Sequence, residues 1–245
     1  MGFTWSAEKV KWFEKALETG EYPRVFMPIL ETMIDRKSSV LEIAAGVGPF
    51  SRMLASRVKS VTALEPSDLA LAALREASIE KGISNIRYVE STWEEWPDEV
   101  HDVIIAAYAG GSVTGSEESL IRLNALARRG VLLVAPVSRE RKNFGVDSLY
   151  VRLNREPPLR RECPPDTEAI LKSLGISFES AIYTYEFGQP LQSIDEGVRL
   201  ISSYHQFGPD EMEIVRDFVK ESVVETGDGY YLPNLRTSRV FYWYT

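Results

Sequence analysis

The chain has 245 residues, a formal net charge of −8 and 44% hydrophobic residues. A chain of this length can bury a sizeable core, and its apolar content argues against disorder. The acidic excess argues against a nucleic-acid partner, because such partners are held mainly by lysine and arginine near phosphates. The apolar stretches are far shorter than the roughly 20 residues needed to span a bilayer, so no membrane partner is expected.

Cysteine and histidine are scarce in this sequence. Cys163 is the single cysteine, so no intrachain disulfide is possible and a reducing, cytoplasmic location is expected. The N-terminus lacks the basic and apolar regions of a secretory signal peptide. With two histidines and one cysteine, no metal-ligand cluster is predicted.

Short apolar runs alternate with amphipathic stretches in the first half of the chain. This rhythm predicts βαβ units and a parallel sheet. Strands are predicted at residues 39–44, 61–64, 86–89, 102–107 and 130–135. Helices are predicted at residues 6–19, 23–33, 51–58, 68–81 and 116–127.

The rhythm breaks after residue 135. Residues 136–165 are polar, rich in arginine and interrupted by prolines, which indicates an insertion. Further helices are predicted at residues 168–174, 193–204 and 209–224, and strands at 178–187 and 239–245. Two late strands outside the crossover rhythm predict an antiparallel hairpin or edge that closes the parallel sheet.

The segment 40–51 is the most informative about function. An apolar strand there runs into a turn of small residues that contains Gly46 and Gly48, and a helix follows. Glycine accepts a positive φ and lets a ligand approach the backbone closely. Such a turn lies at the carboxyl edge of a parallel sheet, where open α/β folds bind ligands. The sequence therefore predicts a ligand site at Gly46 and Gly48.

Dinucleotide-binding folds also use a glycine turn, and two residues distinguish the alternatives. Glu42 precedes the glycines, where a carboxylate would attract a cationic ligand and repel a pyrophosphate. Ser51 stands where the dinucleotide fingerprint has its third glycine. Both favour S-adenosylmethionine (SAM), which carries a sulfonium and an ammonium and no phosphate, over NAD. A helix-capping or salt-bridging role is the alternative for Glu42.

A second acid, Glu65, ends the second predicted strand and is followed by Pro66 and Ser67. A carboxylate at this position can accept hydrogen bonds from both ribose hydroxyls of an adenosine. Proteins that bind NAD share this feature. Glu65 therefore indicates an adenosine ligand without choosing between SAM and NAD.

These residues resemble the class I SAM-dependent methyltransferase family over roughly residues 40–135. The family's first motif is matched by Glu42, Ala44, Gly46 and Gly48, with Ala44 in place of the first glycine, and its second-strand acid is matched by Glu65. A resemblance in the later motifs implies further contacts with SAM. The residues concerned are Pro66, Ser67, Thr92, Trp93 and Ala107, with Tyr22 as a contact from an N-terminal lid.

The resemblance also implies a fold and a reaction. The family has an α/β, Rossmann-like fold with a seven-stranded, mostly parallel sheet, an antiparallel last strand and helices on both faces. For this chain it implies a single domain over residues 1–245, with N-terminal lid helices at 1–36 and helical cap insertions near 136–165 and 190–236. The expected reaction is methyl transfer from SAM as cofactor.

The expected acceptor is a small molecule, because the insertions that would enclose it are rich in aromatic residues. The Asn/Asp-Pro-Pro-Tyr motif of many nucleic-acid and protein-glutamine methyltransferases is replaced here by Ala-Ala-Tyr-Ala at 106–109. The candidates for a catalytic residue are Tyr108 and His205. A non-catalytic SAM-binding scaffold or regulator and an NAD-dependent oxidoreductase are the alternative functions.

A basic run near the middle of the chain also has two interpretations. It comprises Arg152, Arg155, Arg160 and Arg161. These arginines either bind an anionic acceptor or form a solvated surface, and the surface is the favoured interpretation.

Overall fold

The computed structural model of the chain describes residues 4–137, 143–156 and 166–245. Cys163, Arg160, Arg161 and much of the predicted 136–165 insertion lie outside these ranges. Among the helices that are described, none combines the length and the hydropathy that a membrane crossing requires.

The strands, in chain order, are β1 (Ser39–Ile43), β2 (Ser60–Leu64), β3 (Ile86–Val89), β4 (His101–Ala107), β5 (Ala127–Pro136), β6 (Glu179–Glu186), β7 (Gln189–Leu191), β8 (Val224–Thr226), β9 (Gly229–Leu232) and β10 (Leu235–Trp243). Seven of them form one sheet in the order β3-β2-β1-β4-β5-β10-β6. Strands β1 to β5 pair in parallel, and β10 runs antiparallel to both β5 and β6. The predicted seven-stranded sheet with an antiparallel last strand is confirmed.

The helices are α1 (Ala7–Thr19), α2 (Met27–Leu30), α3 (Pro49–Leu54), α4 (Asp68–Glu80), α5 (Gly111–Thr114), α6 (Glu117–Leu126), α7 (Val146–Arg152), α8 (Thr167–Ser173), α9 (Ile194–Tyr204) and α10 (Met212–Ser222). The predicted helix at 23–33 is divided into a 3-10 turn at Arg24–Phe26 and the short α2. Pro28 has no N–H to donate, so it fits the first turn of α2 and cannot continue a helix from the preceding residues.

The sheet is covered on both faces by apolar side chains, which explains why the central strands are apolar at almost every position. One cluster contains Phe26, Leu30, Phe50, Leu54 and Leu74, from the segment before β1 and from α3 and α4. The cluster on the other face contains Leu120, Leu123 and Leu171, from α6 and α8. β1 lies between β2 and β4, so the turn after β1 opens at the middle of the carboxyl edge of the sheet.

Residues 189–232 form a cap with a core of its own. Its apolar cluster joins α7, α9 and α10 to a small antiparallel sheet in the order β7-β9-β8. Besides the predicted helices, the cap thus contains three short strands that were not predicted from the sequence. They have only three or four residues each, and β8 is exposed throughout, so no hydrophobic alternation marks them in the sequence.

The N-terminal helix α1 connects this cap to the main sheet. Ser6 caps its first turn. On the cap side, the indole N–H of Trp12 and the Lys15 ammonium both donate to Glu196 of α9. On the sheet side, Arg52 of α3 forms an ion pair with Glu14 at 2.8 Å. α1 is thereby held across the carboxyl edge of the sheet.

Asp102 lies at the opposite, amino-terminal edge and has a structural role. Its Oδ2 accepts from the Ser39 amide at 2.7 Å and from the Ser39 hydroxyl at 2.9 Å, which ties the start of β4 to the start of β1. We expect Asp102→Ala to lower the free energy of unfolding by about 1–3 kcal/mol, because it leaves these donors without their charged acceptor. Urea denaturation measures this loss. Unchanged stability would contradict the assignment.

Candidate functional site

The turn after β1 has a backbone conformation that few residues adopt. Ala44, Gly46 and Gly48 have φ values of 53°, 54° and 68°. A Cβ at Gly46 would lie 2.7 Å from a ring carbon of Trp5, and a Cβ at Gly48 would collide with the Leu74 side chain. Gly48 is therefore required for packing α3 against α4, whereas Gly46 keeps space open beneath Trp5. Ala44 adopts the left-handed conformation despite its Cβ, at a cost of roughly 1–2 kcal/mol.

Glu42 is buried below this turn and caps α3. Its Oε2 accepts from the Ser51 amide at 2.7 Å and from the Ser51 hydroxyl at 2.5 Å, and Oε1 accepts from the Phe50 amide at 3.2 Å. Burial raises the pKa of Glu42 to about 7, although these hydrogen bonds and the charge of Arg52 act in the other direction. Glu42 thus has the capping role considered above and also lines the cavity described below.

Glu65 holds the same turn from the end of β2. Its Oε2 accepts from the Gly46 amide at 2.8 Å, and Oε1 accepts from the Ser67 amide at 3.1 Å. Burial raises the pKa of this carboxyl, and the two amides partly offset the effect. A carboxylate has about four lone-pair sites, so two backbone donors leave room for two more from a ligand.

A cavity of about 1070 Å³ opens at this edge of the sheet. Its volume lies at the upper end of the range for ligand pockets, ~300–1,000 Å³, which suits two ligands side by side. The candidate residues in its wall are Tyr22, Glu42, Ala44, Gly46, Glu65, Pro66, Ser67, Ala107 and Tyr108. Tyr204, one of the aromatic residues of the predicted cap, also lines it, as do Trp5, Phe13 and Arg236, which were not predicted.

Four candidate residues lie outside the cavity wall. Gly48 packs under Leu74, as described above. Thr92 exchanges hydrogen bonds with Glu95, and Trp93 is buried with its indole N–H donating to Ser119 at 2.8 Å. His205 is buried in the cap, where Nδ1 lies 3.0 Å from the Tyr150 hydroxyl. The structure thus separates Thr92, Trp93 and His205 from the residues around Gly46.

Tyrosine side chains form the wall opposite the glycine turn. Tyr108 has a φ of 55°. Its hydroxyl forms hydrogen bonds with the hydroxyl of Tyr185, at 2.7 Å, and with that of Ser238. Tyr22 stacks on Tyr185 with ring centroids 6.0 Å apart. Burial raises the pKa of Tyr22 and of Tyr185 well above the ordinary value, so both hydroxyls stay protonated at neutral pH.

The arginine run contributes nothing to this wall within the described residues. Arg152 forms an ion pair with Glu221 at 2.6 Å, and Arg155 forms one with Glu211 at 2.8 Å, both on exposed parts of the cap. The exposed ion pairs of these two arginines agree with the interpretation of the run as a solvated surface.

Residues 40–129, which include Glu42, Gly46 and Glu65, match the model of a family described as a methyltransferase domain. Among curated protein sequences, none matches the chain significantly.

Solved structures of other proteins share the fold at low sequence identity. The YcgJ protein of Bacillus subtilis is 17% identical with a TM-score of 0.54, over 91% of this chain and 98% of its own. A phosphoethanolamine N-methyltransferase 2 of Haemonchus contortus, solved with phosphomonomethylethanolamine and S-adenosylhomocysteine (SAH), is 13% identical with a TM-score of 0.56, over 96% and 57%. Coclaurine N-methyltransferase, solved with N-methylheliamine and SAH, is 13% identical with a TM-score of 0.50, over 91% and 72%. Residues 40–129 of the chain therefore match a methyltransferase domain, and nearly the whole chain shares the fold of these solved structures.

Proposed function

We propose that this methyltransferase transfers a methyl group from SAM to a small-molecule acceptor. The observation that carries the proposal is the pair of buried carboxylates, Glu42 and Glu65, on either side of the Gly46 turn at the carboxyl edge of the sheet. Glu42 offers negative charge to a sulfonium and an ammonium. Glu65 offers acceptor positions to ribose hydroxyls.

The α3 N-terminus argues against a dinucleotide. A pyrophosphate in a dinucleotide fold binds to free amides at a helix N-terminus. In this chain the amides of Phe50 and Ser51 already donate to Glu42, and the carboxylate itself repels phosphate. A cationic adenosyl ligand meets neither obstacle.

The transfer needs no cofactor beyond SAM. A lone pair on the acceptor attacks the methyl carbon, the bond between that carbon and sulfur breaks, and its electron pair returns to sulfur, leaving SAH. An acceptor N–H or O–H loses its proton to water or to a base once the new bond forms. The cavity then acts by aligning the two reactants and excluding water.

A small acceptor is supported by the shape and the chemistry of the cavity. Trp5, Phe13, Tyr22, Tyr108 and Tyr204 supply aromatic surface around a space too confined for a folded macromolecule. Two of the proteins with this fold, the phosphoethanolamine and coclaurine N-methyltransferases, were solved with small molecules beside SAH.

Calorimetry with SAM, SAH and NAD tests the choice of cofactor. We expect SAM and SAH to bind and NAD not to bind. Incubation of the protein with methyl-labelled SAM and a metabolite extract, followed by mass spectrometry of the products, tests turnover. Binding of NAD alone, or SAM binding without any labelled product, would contradict the proposal.

Glu65→Ala should weaken SAM binding about tenfold, since hydrogen bonds from the ribose to a charged acceptor are lost. Calorimetric titration with SAM measures the change in Kd, and circular dichroism checks folding. Asp102→Ala is the matched control, because it removes a partly buried acceptor at the other edge of the sheet and should leave the Kd for SAM unchanged. Equal Kd values in the two variants would contradict the role of Glu65.

A further inference from the structure

Arg236 is a cation in the cavity wall that has no counter-ion among the described residues. It belongs to β10, and its Nε is buried with no hydrogen-bond partner. Within residues 4–137, 143–156 and 166–245, no carboxylate forms an ion pair with it. Leaving such a donor unsatisfied is costly, so a buried group of this kind indicates a missing partner.

The surroundings of Arg236 leave its N–H groups available. The guanidinium carbon lies 4.5 Å from the centroid of the Phe187 ring, so one face of the group rests on an aromatic surface. The N–H bonds lie in the plane of the guanidinium and are not consumed by stacking on that face. Arginine in this setting is suited to a carboxylate or a phosphate, which it can bind through two parallel hydrogen bonds.

Arg236 is separated from the part of the cavity assigned to SAM. In the sheet order, β10 lies three strands from β1, which corresponds to about 14 Å at the usual strand spacing. Glu42 lies near the end of β1 and Glu65 directly follows β2, and they are the other charged residues in the described cavity wall. The two carboxylates and the arginine thus divide the cavity into an acidic part and a basic part.

Tyr22 lies between these two parts. Both Glu42 and Arg236 act electrostatically on its hydroxyl, in opposite directions. The Tyr22 hydroxyl lines the cavity, and among the described residues it has no hydrogen-bond partner. A molecule that spans from Arg236 past Tyr22 would therefore present its far end toward the ligand at Glu42.

We propose that Arg236 binds an anionic oxygen group, a carboxylate or a phosphate, on the methyl acceptor, whose apolar or aromatic body packs against Tyr22, Tyr108 and Tyr204. This inference rests on the proposed function, since it assigns the acceptor class for the same cavity. The anion holds one end of the acceptor at the basic part of the cavity, and the nucleophile lies at the other end, near the methyl group of SAM.

The test uses the 245-residue chain loaded with SAH and three probes that share a phenyl ring: benzoate, phenyl phosphate and the uncharged benzamide. Calorimetry should show benzoate or phenyl phosphate binding about tenfold more tightly than benzamide, the effect of charge-assisted hydrogen bonds to one arginine. Whichever anion binds more tightly identifies the carboxylate or the phosphate as the natural group. Equal affinity for all three probes would overturn the inference.

Two variants and a control complete the test. Arg236→Gln should abolish the preference for the anions, and Arg236→Lys should keep part of it, because the charge remains without the planar fork. Arg239→Gln is the control, since Arg239 lies on the same strand but pairs with Glu168 at 3.1 Å; it should keep the full preference.

Binding of SAH, measured first in every variant, separates the two proposals. We expect Arg236→Gln to bind SAH with the wild-type Kd. A loss of SAH affinity in that variant would assign Arg236 to the cofactor and overturn the inference while leaving the proposed function intact. Absence of SAH binding in the wild-type protein would overturn both.

Discussion

Gly46→Val is expected to abolish SAM binding while the chain still folds. A Cβ at Gly46 would lie 2.7 Å from the Trp5 ring, and the two methyl groups of valine extend further into the space between Trp5 and the turn. The site must then either expel Trp5 or lose the ligand space. We expect the Kd for SAM to rise by about a hundredfold or more, equivalent to ~3 kcal/mol, as measured by calorimetry.

Gly82→Val separates this steric effect from backbone strain. Gly82 has a φ of +66°, close to the +54° of Gly46, and a Cβ there would meet nothing within 4 Å. Both variants therefore bear the left-handed strain of about 1–2 kcal/mol, and both should unfold at lower urea concentration. Only Gly46→Val should lose SAM. Wild-type SAM affinity in Gly46→Val, or an equal loss in Gly82→Val, would place the ligand elsewhere.

The parallel core and the glycine turn could be predicted because their physical causes are local. β1 and β4 are buried on both faces, so they appear in the sequence as continuous apolar runs that end at small or polar residues. The positions of Gly46, after β1, and of Glu65, after β2, could be predicted in the same way, because the carboxyl ends of parallel strands meet at one edge.

The later part of the cavity could not be predicted, because it depends on long-range pairing. β10 was predicted to begin at residue 239, but it begins at Leu235 and pairs there with β6. After Leu235, the residues added to its start, which include Arg236, are polar and have no strand pattern. Their place in the cavity wall follows only from the position of β10 between β5 and β6.

Some roles depended on side-chain geometry that a motif does not specify. Ser51 was interpreted as a missing third glycine, and the structure shows its hydroxyl and amide holding Glu42. Trp93 was predicted to contact the cofactor by its place in a motif, and the structure shows its indole N–H donating to Ser119 of α6. In both cases the residue was noticed and its partner could not be read from the sequence.

Glu42 should make both the stability and the SAM affinity depend on pH. Its pKa is about 7 in the folded protein and is expected at the ordinary value of 4.5 in the unfolded chain. The folded state therefore binds this proton more tightly, so its contribution is complete below pH 4.5 and is lost as the pH rises through 7. The loss amounts to about 3 kcal/mol at ~1.4 kcal/mol per pKa unit.

Glu42→Gln removes this titration and should preserve the fold. With its amide oxygen at the Oε2 position, Gln can still accept from the Ser51 amide and hydroxyl, and only the longer 3.2 Å bond from the Phe50 amide is lost. Urea denaturation between pH 5.5 and pH 7.5 should show a smaller decline of stability with pH in Glu42→Gln than in the wild type. Parallel declines in the two proteins would assign the pH dependence to other groups.

Burial makes ionisation of Glu42 unfavourable in the free protein. The positive charge of bound SAM should offset this cost, because it stabilises the carboxylate. Binding then releases a proton, and the affinity for SAM should rise about 25-fold between pH 5.5 and pH 7.5 if only the ionised form binds. This window lies below the titration of an α-amino group, at a pKa of ~7.7–8.0.

Glu42→Gln should bind SAM more weakly with little dependence on pH. Calorimetry in two buffers of different ionisation enthalpy counts the released protons, and a wild-type affinity that is flat across this range would remove Glu42 from the neighbourhood of the ligand's charge.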